Sequence, residues 1–559
     1  MATEILLVML VAIGLTIFAE RFRLQPPLLL VAVGLALSFI PGIVPPELEP
    51  ETILGIVVPP LLYSAALDFS FFSFVKRIGS ILNLSVALVF VSSAAIAYAA
   101  VALMPDLPLA VALILGAALA PPDAVSAVSI GRELGLPNRL MTVLKGESLV
   151  NDAAALALFG VATAWAVSGS EHPGNVALAF AYAAFVGTVI GIGMGQLVDR
   201  IRRRLGNPSL VTTLSVLVPF SAYALAEWAH ASGVMAVVFA GFTLSHRAAD
   251  LGFAGRMQER EVWRVVDSLL ETFAFAYMGL QLRSLILQAQ ANGHDPWRLA
   301  LAALALLGVI IAVRIAWIAL TAVFGRLRYR IKRALAVRLP RLHQSPEPLS
   351  WSENAVLGWA GMRGVVTLAA AAATPLLTAA GAPLAGRSAI VLIAYAVAVA
   401  TLLLHGLTLP ALVRRLTLPP DDAQALRRQK KHAKVVMHES SQARLAALRQ
   451  EAFSEDELAL AARVMMRQQK AVEAMPHEAA DPSDPLASHD KGSTDGTGDM
   501  RARLLAIGSS VLSAQRSALI AERDAQRLDD EVVRDLLESL DLEQALLAQK
   551  SLHVLQTAG

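Results

Sequence analysis

Apolar residues reach this chain in blocks. The runs Leu82 to Leu103 and Leu299 to Phe324 are nearly uninterrupted, and a block of roughly 20 such residues spans a bilayer as a helix. The pattern marks thirteen hydrophobic segments, near 4–19, 27–41, 52–67, 80–103, 107–130, 138–166, 174–198, 209–228, 231–246, 262–287, 297–324, 353–379 and 387–413. Several are short or carry polar residues, so the loops between them supply an independent test. Lys and Arg in short loops mark the cytoplasmic side. They occur after the first segment (Arg21, Arg23) and the third (Lys76, Arg77), then as Arg132 and Arg139, as DRIRRR from Asp199 to Arg204, and as Arg247, Arg256 and Arg260. The loop after the eleventh segment holds GRLRYRIKR, Gly325 to Arg333, whereas PGIVPPELEPE (Pro41 to Glu51) and SGSEHPGN (Ser168 to Asn175) are nearly free of basic residues. The alternation predicts about 13 transmembrane helices, with the N-terminus outside and the C-terminus in the cytoplasm.

Composition agrees with this reading. The 559 residues are 56% hydrophobic and 16% charged, against about a quarter charged in soluble proteins. The formal net charge of +2 says little, because the charges are unevenly placed. There is no cysteine, which excludes disulfides and thiolate chemistry. Ile5 to Ala19 lacks the basic start and small-residue cleavage site of a signal peptide, so it is read as the first membrane helix. The fold class expected is an all-α polytopic membrane protein with a helical cytoplasmic C-terminal tail.

The tail begins near Thr417. RRQKKHAK, Arg427 to Lys434, is a basic juxtamembrane run for which anionic lipid headgroups are a natural neighbour. Ser454 and Glu457 have the spacing of a capping box that opens a helix to about Ala474. The polar Pro/Gly/Ser stretch from Glu478 to Asp499 reads as a disordered linker, about 476–499. Val532, Leu536, Leu537, Leu540, Leu546 and Leu547 then mark an amphipathic helix with a packing or dimer face.

Four places break the apolar rule inside the spans: Asp123 in LAPPDAVSAV, the run GESLVND from Gly146 to Asp152, Arg314 in GVIIAVRIAWIAL, and Arg363 in WAGMRGVVTLAAA. An ionisable group at mid-bilayer costs about 2.5–3.5 kcal/mol on insertion scales and so marks a partner or a function. In GESLVND, Glu147 and Asn151 are four apart and share one helix face, while Ser148 and Asp152 share the next. The first set reads as structural, with Arg314 the obvious partner for Glu147. The second reads as functional, because a hydroxyl one turn below a carboxylate offers oxygen ligands to a hard cation.

Pro121 and Pro122 remove two backbone donors in mid-membrane, so the helix should break beside Asp123. Gly361 and Gly364 flank Arg363 and mark a second weak point seven spans later. An odd offset means opposite orientation in the membrane, the signature of an inverted repeat. Two broken helices crossing at mid-depth would set their dipole ends against each other, with Asp123 and Arg363 as compensating charges.

GESLVND, a proline-flanked Asp twenty-nine residues before its last Asp, and GMRG near the end together resemble the sodium/proton exchanger family of monovalent cation:proton antiporters, in its bacterial NhaP-like branch. ETFAFAYMGLQL, Glu271 to Leu282, is similar to another family segment. The likeness covers roughly 1–415, and the tail is similar to those of bacterial members. The resemblance implies that Asp152 carries the cation or proton, and that Asp123, Ser148 and the main-chain carbonyl of Pro122 complete the site for Na+. It further implies that Glu147 pairs with Arg314 and that Asn151 supports Asp123 and the crossing. The family usually has Thr-Asp-Pro where this chain has Pro122-Asp123-Ala124, so a threonine hydroxyl is missing.

The family fold implies a membrane domain over 1–415, with a scaffold of 1–67 and 209–289, an ion-carrying core of 80–166 and 297–413, and a linker helix over 174–198. Residues 416–559 form the tail. The expected protein is a homodimer in the cell (inner) membrane that exchanges Na+ or a similar monovalent cation for protons. It needs no cofactor and no nucleic acid. Relatives with Asn-Asp here are associated with one-for-one exchange, those with two aspartates with charge-moving exchange.

The alternatives are K+/H+ antiport on the same fold, a channel or uniporter, and a membrane enzyme. A channel would want rings of acceptors along a continuous path, whereas the carboxylates here are concentrated at one depth. An enzyme is disfavoured because no HExxH, GxSxG or Ser/His arrangement occurs inside the spans.

Overall fold

The described residues are almost entirely helical, and those of the membrane part are apolar helices that satisfy their backbone internally. The computed structural model describes residues 2–22, 24–41, 53–69, 71–168, 176–205, 207–247, 253–336, 348–419, 423–450, 453–474 and 497–556. Among these residues no strand forms, only an isolated bridge between Leu377 and Pro383. The helices are α1 (Ala2–Arg21), α2 (Pro26–Ser38), α3 (Val58–Leu67), α4 (Phe71–Leu82), α5 (Leu88–Leu103), α6 (Leu109–Leu119), α7 (Ala124–Glu133), α8 (Asn138–Ser168) and α9 (Val176–Arg202). They continue with α10 (Pro208–Trp228), α11 (Gly233–His246), α12 (Phe253–Leu280), α13 (Leu282–Ala291), α14 (Pro296–Ala336), α15 (Trp351–Trp359), α16 (Val365–Ala372) and α17 (Arg387–Arg415). In the tail lie α18 (Ala423–Gln450), α19 (Glu455–Ala474), α20 (Thr497–Asp524) and α21 (Asp530–Gln556).

A helix or a helix pair stands at each predicted hydrophobic segment. By length and apolarity alone, eight helices among the described residues could cross a membrane. One of the eight, Arg503–Asp524, lies in the tail. Its hydropathy has a different origin, because Ile507, Val511, Leu512 and Leu519 are buried in apolar clusters with other tail helices. Two predicted segments differ clearly in their bounds: 297–324, whose helix α14 runs on to Ala336, and 262–287. In the second, helix α12 starts at Phe253, taking in Arg256, Glu259, Arg260 and Glu261, which a hydropathy window excludes but a helix tolerates.

The chain clusters into two units. The first comprises Met1–Gly206, Leu210–Arg247 and Glu261–Pro420, and the second comprises Asn207–Ser209, Ala248–Arg260 and Asp421–Gly559. In the first, one apolar cluster runs from Ala12 to Leu409. The stripe Gly187, Gly191 and Gly195 brings α9 against α11. A Cβ on Gly187 would stand 2.5 Å from the Ser232 carbonyl oxygen, and one on Gly195 would stand 2.6 Å from Thr243 Cβ. Such small-residue seams substitute close van der Waals packing for the hydrophobic driving force that lipid removes. α9 also touches α8.

In the second unit, α20 packs on α18, α19 and α21. The capping box expected at its second helix is formed, with Ser454 N donating to Glu457 Oε2 at 2.8 Å and Glu457 N to Ser454 Oγ at 3.3 Å. Val532, Leu540 and Leu547 of the predicted stripe are buried, so the stripe is a packing face within the tail. Asp541 sits between two arginines, accepting from Arg256 Nε at 3.0 Å and Arg516 Nη2 at 2.7 Å. The predicted linker, about 476–499, lies outside the described residues except for 497–499, which open α20.

Candidate functional site

Pro121 and Pro122 end α6 at Leu119, and the chain becomes helical again only at Ala124. Neither proline can donate to a preceding carbonyl, so the carbonyls of the last turn of α6 need other partners. The second break follows the same logic with glycine. α15 opens with Ser350 and Glu353 in a capping box, stops at Trp359, and gives way to Gly361-Met362-Arg363-Gly364 before α16. The two breaks meet, for Asp123 N donates to Met362 O at 2.6 Å.

Arg363 serves the carbonyl ends of both broken helices. Its Nε donates to Leu119 O at 2.9 Å, its Nη2 to Ala120 O at 3.2 Å, and its Nη1 to Gly361 O. Its backbone N–H donates to Thr401 Oγ1 of α17 at 3.0 Å. A helix C-terminus carries partial negative charge, and one guanidinium with five donors can face two of them at once. Asp123 lies at the opposite polarity, beside the N-terminal ends of α7 and α16. Gly364 leaves the space it occupies, since a Cβ there would lie 2.5 Å from Asp123 Cγ.

The polar run of GESLVND falls in the middle of α8, where Gly146 to Ala155 are all buried. Arg314 of α14 reaches Glu147 with two bonds, Nη1 to Oε1 at 2.5 Å and Nη2 to Oε2 at 3.1 Å. Its Nη2 also donates to Leu357 O of α15 at 3.0 Å. The pair therefore ties α8, α14 and α15 together. Ser85, in the π-helical turn Asn83–Ala87 between α4 and α5, adds a fourth element by donating to Glu147 O at 2.9 Å.

The other face of α8 is different in kind. Asp152 and Ser148 are 6% and 3% exposed, and Asp123 acts on Asp152 electrostatically. Ser148 Oγ is buried with no hydrogen-bond partner among the described residues. Pro122 is buried at the break. Hydroxyl, carboxylate and carbonyl oxygens are the ligand types that a hard cation takes. Asn151, fully buried, makes no hydrogen bond with either amide atom among the described residues, so the support expected of it for Asp123 is not a hydrogen bond here.

Several polar residues near this centre escaped the sequence reading. Glu353 is fully buried and meets Arg139 at 2.5 Å, joining the first turns of α8 and α15. The SWSE spelling from Ser350 to Glu353 is a capping-box signal that could have revealed it. Asp267 and Glu271 stand one turn apart on α12; Ser64 Oγ donates to Asp267, and Asp123 acts on Glu271 electrostatically. Two carboxylates four residues apart in an apolar segment were the available signal. His405, 2% exposed on α17, packs its ring against Trp359 with centroids 4.8 Å apart. A lone histidine in an apolar run carried no signal.

Comparison with known proteins bears on the family and the fold. The family model described as the transmembrane sodium/hydrogen exchanger matches residues 5–415. An uncharacterized Na(+)/H(+) exchanger of Mycobacterium tuberculosis is 33% identical over 547 residues, covering 97% of this chain and 95% of that protein. The Na(+)/H(+) antiporter NhaH of Halobacillus dabanensis is 28% identical over 428 residues, covering 74% of this chain and 97% of its own. In fold, the chain is similar to the sodium proton antiporter MjNhaP1 of Methanocaldococcus jannaschii, with a TM-score of 0.56 at 17% identity over 74% of this chain and 98% of that one.

Proposed function

The chain belongs to the sodium/hydrogen exchanger family, a family of cation:proton antiporters, and from that premise we propose that it exchanges Na+ for H+, one for one, by alternating access at Asp152. The observation that carries the reading is the buried pair Asp152 and Ser148 beside the crossing of two broken helices, with the Ser148 hydroxyl free of other partners among the described residues. In this reading Asp152 holds either a proton or the cation. The Ser148 hydroxyl, the Asp123 carboxylate and the Pro122 carbonyl replace water around the ion. Arg363 and the Glu147–Arg314 pair carry no cargo; they keep the two breaks and α8 in register, so that the site moves as one piece.

Competition of two ligands for one carboxylate predicts a bell-shaped pH profile. Protons displace the cation at low pH, and at high pH too few protons remain to be returned. The neutral Asn151 beside Asp152 supports a single exchanged charge, and hence electroneutral transport. The alternating loop charges support an N-terminus outside and a cytoplasmic tail, and an inner-membrane homodimer is the form we expect.

The test uses proteoliposomes with a pH dye, titrated separately with Na+, K+ and Li+. A response to Na+ that is insensitive to voltage imposed with valinomycin and K+, once K+ is shown not to be a substrate, agrees with the proposal. A Na+-driven pH change that grows or reverses with voltage refutes one-for-one exchange, and a response to K+ alone replaces Na+ as the cargo.

A further inference from the structure

The basic run that follows the last membrane helix has one face that the tail does not cover. From Ala423 to Met437, α18 contains Arg427, Arg428, Lys430, Lys431 and Lys434 and no Asp or Glu. Its inner face is committed, because Ala433 and Met437 are buried in the tail's apolar cluster. Its outer face carries Arg427, Arg428 and Lys431, all exposed, with Val435 46% exposed among them. Arg427, Lys430, Lys431, Lys434 and Val435 are among the residues lining a shallow groove of ≈ 670 Å³ there, with a single carboxylate, Glu439, at its far end. Among the described residues, acidic groups of the tail meet one edge of this helix, with Lys430 3.5 Å from Asp535 and His432 2.9 Å from Glu522.

We propose that this outer face of α18 docks on the anionic lipid headgroups of the leaflet from which α17 emerges. Three observations select lipid over a soluble polyanion. Only seven residues, 416–422, separate Arg415 from Ala423, and a chain of that length reaches at most about 29 Å. The helix is therefore held at the membrane at high effective concentration whatever the path of the connection. The face has the make-up of an interfacial helix, with exposed Val435 and Leu426 set among basic residues. The charge continues the basic end of α17, Arg414 and Arg415. Each Lys or Arg held near an anionic surface strengthens association about fivefold, an effect that fades within a Debye length. The inference concerns the tail alone and stands whether or not the cargo and stoichiometry proposed above are correct.

The chain has no cysteine, so Val435→Cys gives the full-length protein a unique labelling site. A polarity-sensitive dye at this position is read in nanodiscs of phosphatidylcholine, with and without phosphatidylglycerol, and with brominated lipid as quencher. The expected result is a blue shift and quenching only with phosphatidylglycerol, both lost at about 1 M salt, where the Debye length falls to ~3 Å. A control label at exposed Ser517→Cys on α20 stays insensitive to lipid charge. Changing Arg427, Arg428 and Lys431 together to Gln should weaken the association on the order of a hundredfold and return the Val435 signal to its neutral-lipid level. The proposal is overturned if the label ignores lipid charge, if the triple variant keeps the full signal, or if free inorganic phosphate reproduces the shift in neutral discs.

Discussion

Removing one member of the Glu147–Arg314 pair should be among the most damaging single changes in the membrane part. The two side chains are 1% and 4% exposed, and they are joined at 2.5 and 3.1 Å. Arg314→Ala deletes both of these bonds and the bond to Leu357 O, leaving a carboxylate with no counter-charge in a desolvated site. Breaking such a pair costs about 3–5 kcal/mol in soluble proteins. Glu147→Gln keeps one acceptor for the guanidinium, so it belongs at the lower end of that range, and Arg314→Ala belongs at the upper end. With an unfolding entropy of about 2.1 cal/mol/K per residue over a membrane domain of this length, the losses correspond to a fall in melting temperature of about 3–6 °C. The double variant Glu147→Gln with Arg314→Ala removes both charges, so its melting temperature should lie no lower than that of Arg314→Ala alone. Melting curves of the four proteins in one detergent close the cycle. Losses that simply add would refute the coupling, since non-interacting sites are additive within about 0.5 kcal/mol.

Asp152→Asn should abolish exchange in proteoliposomes while the purified protein keeps its melting temperature, because an amide can neither release a proton nor neutralise Na+; near-normal exchange would remove Asp152 from the mechanism. Gly364→Ala places a methyl group 2.5 Å from Asp123 Cγ, so it should raise the cation concentration needed for half-maximal exchange severalfold, and an unchanged value would show that Asp123 can shift without consequence. In the tail, hydrogen bonds from Arg527 and then His432 hold the Glu522 carboxyl at about 2, well below its usual range. A carboxyl held low stabilises the folded form above its ordinary pKa of 4.5 and loses that contribution as pH falls toward 2. The urea midpoint of the tail, followed with a dye at Ser517→Cys, should therefore decline over that window, and the decline should be smaller in Glu522→Gln. An identical decline in both proteins would mean that other carboxylates set the acid sensitivity.

Much of this protein follows from the order of its residues. Apolar blocks dictate helices, because a backbone in lipid has few other ways to bond, and prolines and glycines dictate where two of those helices stop. Spacing alone divides GESLVND into a Glu147/Asn151 face and a Ser148/Asp152 face, since four residues make one turn. The capping box at Ser454 and Glu457 is likewise local chemistry, complete within four residues. What spacing cannot supply is the partner across a fold. Nothing local to GMRG says that Arg363 will reach the carbonyls of Leu119 and Ala120, more than two hundred residues earlier, or that Gly364 is small to admit Asp123. Nothing around Arg139 announces Glu353. Nor does the hydropathy of Arg503–Asp524 distinguish a helix that buries one side in the tail from one that crosses a membrane. These contacts are decided when separate helices pack, because burial removes water as an alternative partner and each polar group must then find whichever donor or acceptor the packing brings within reach.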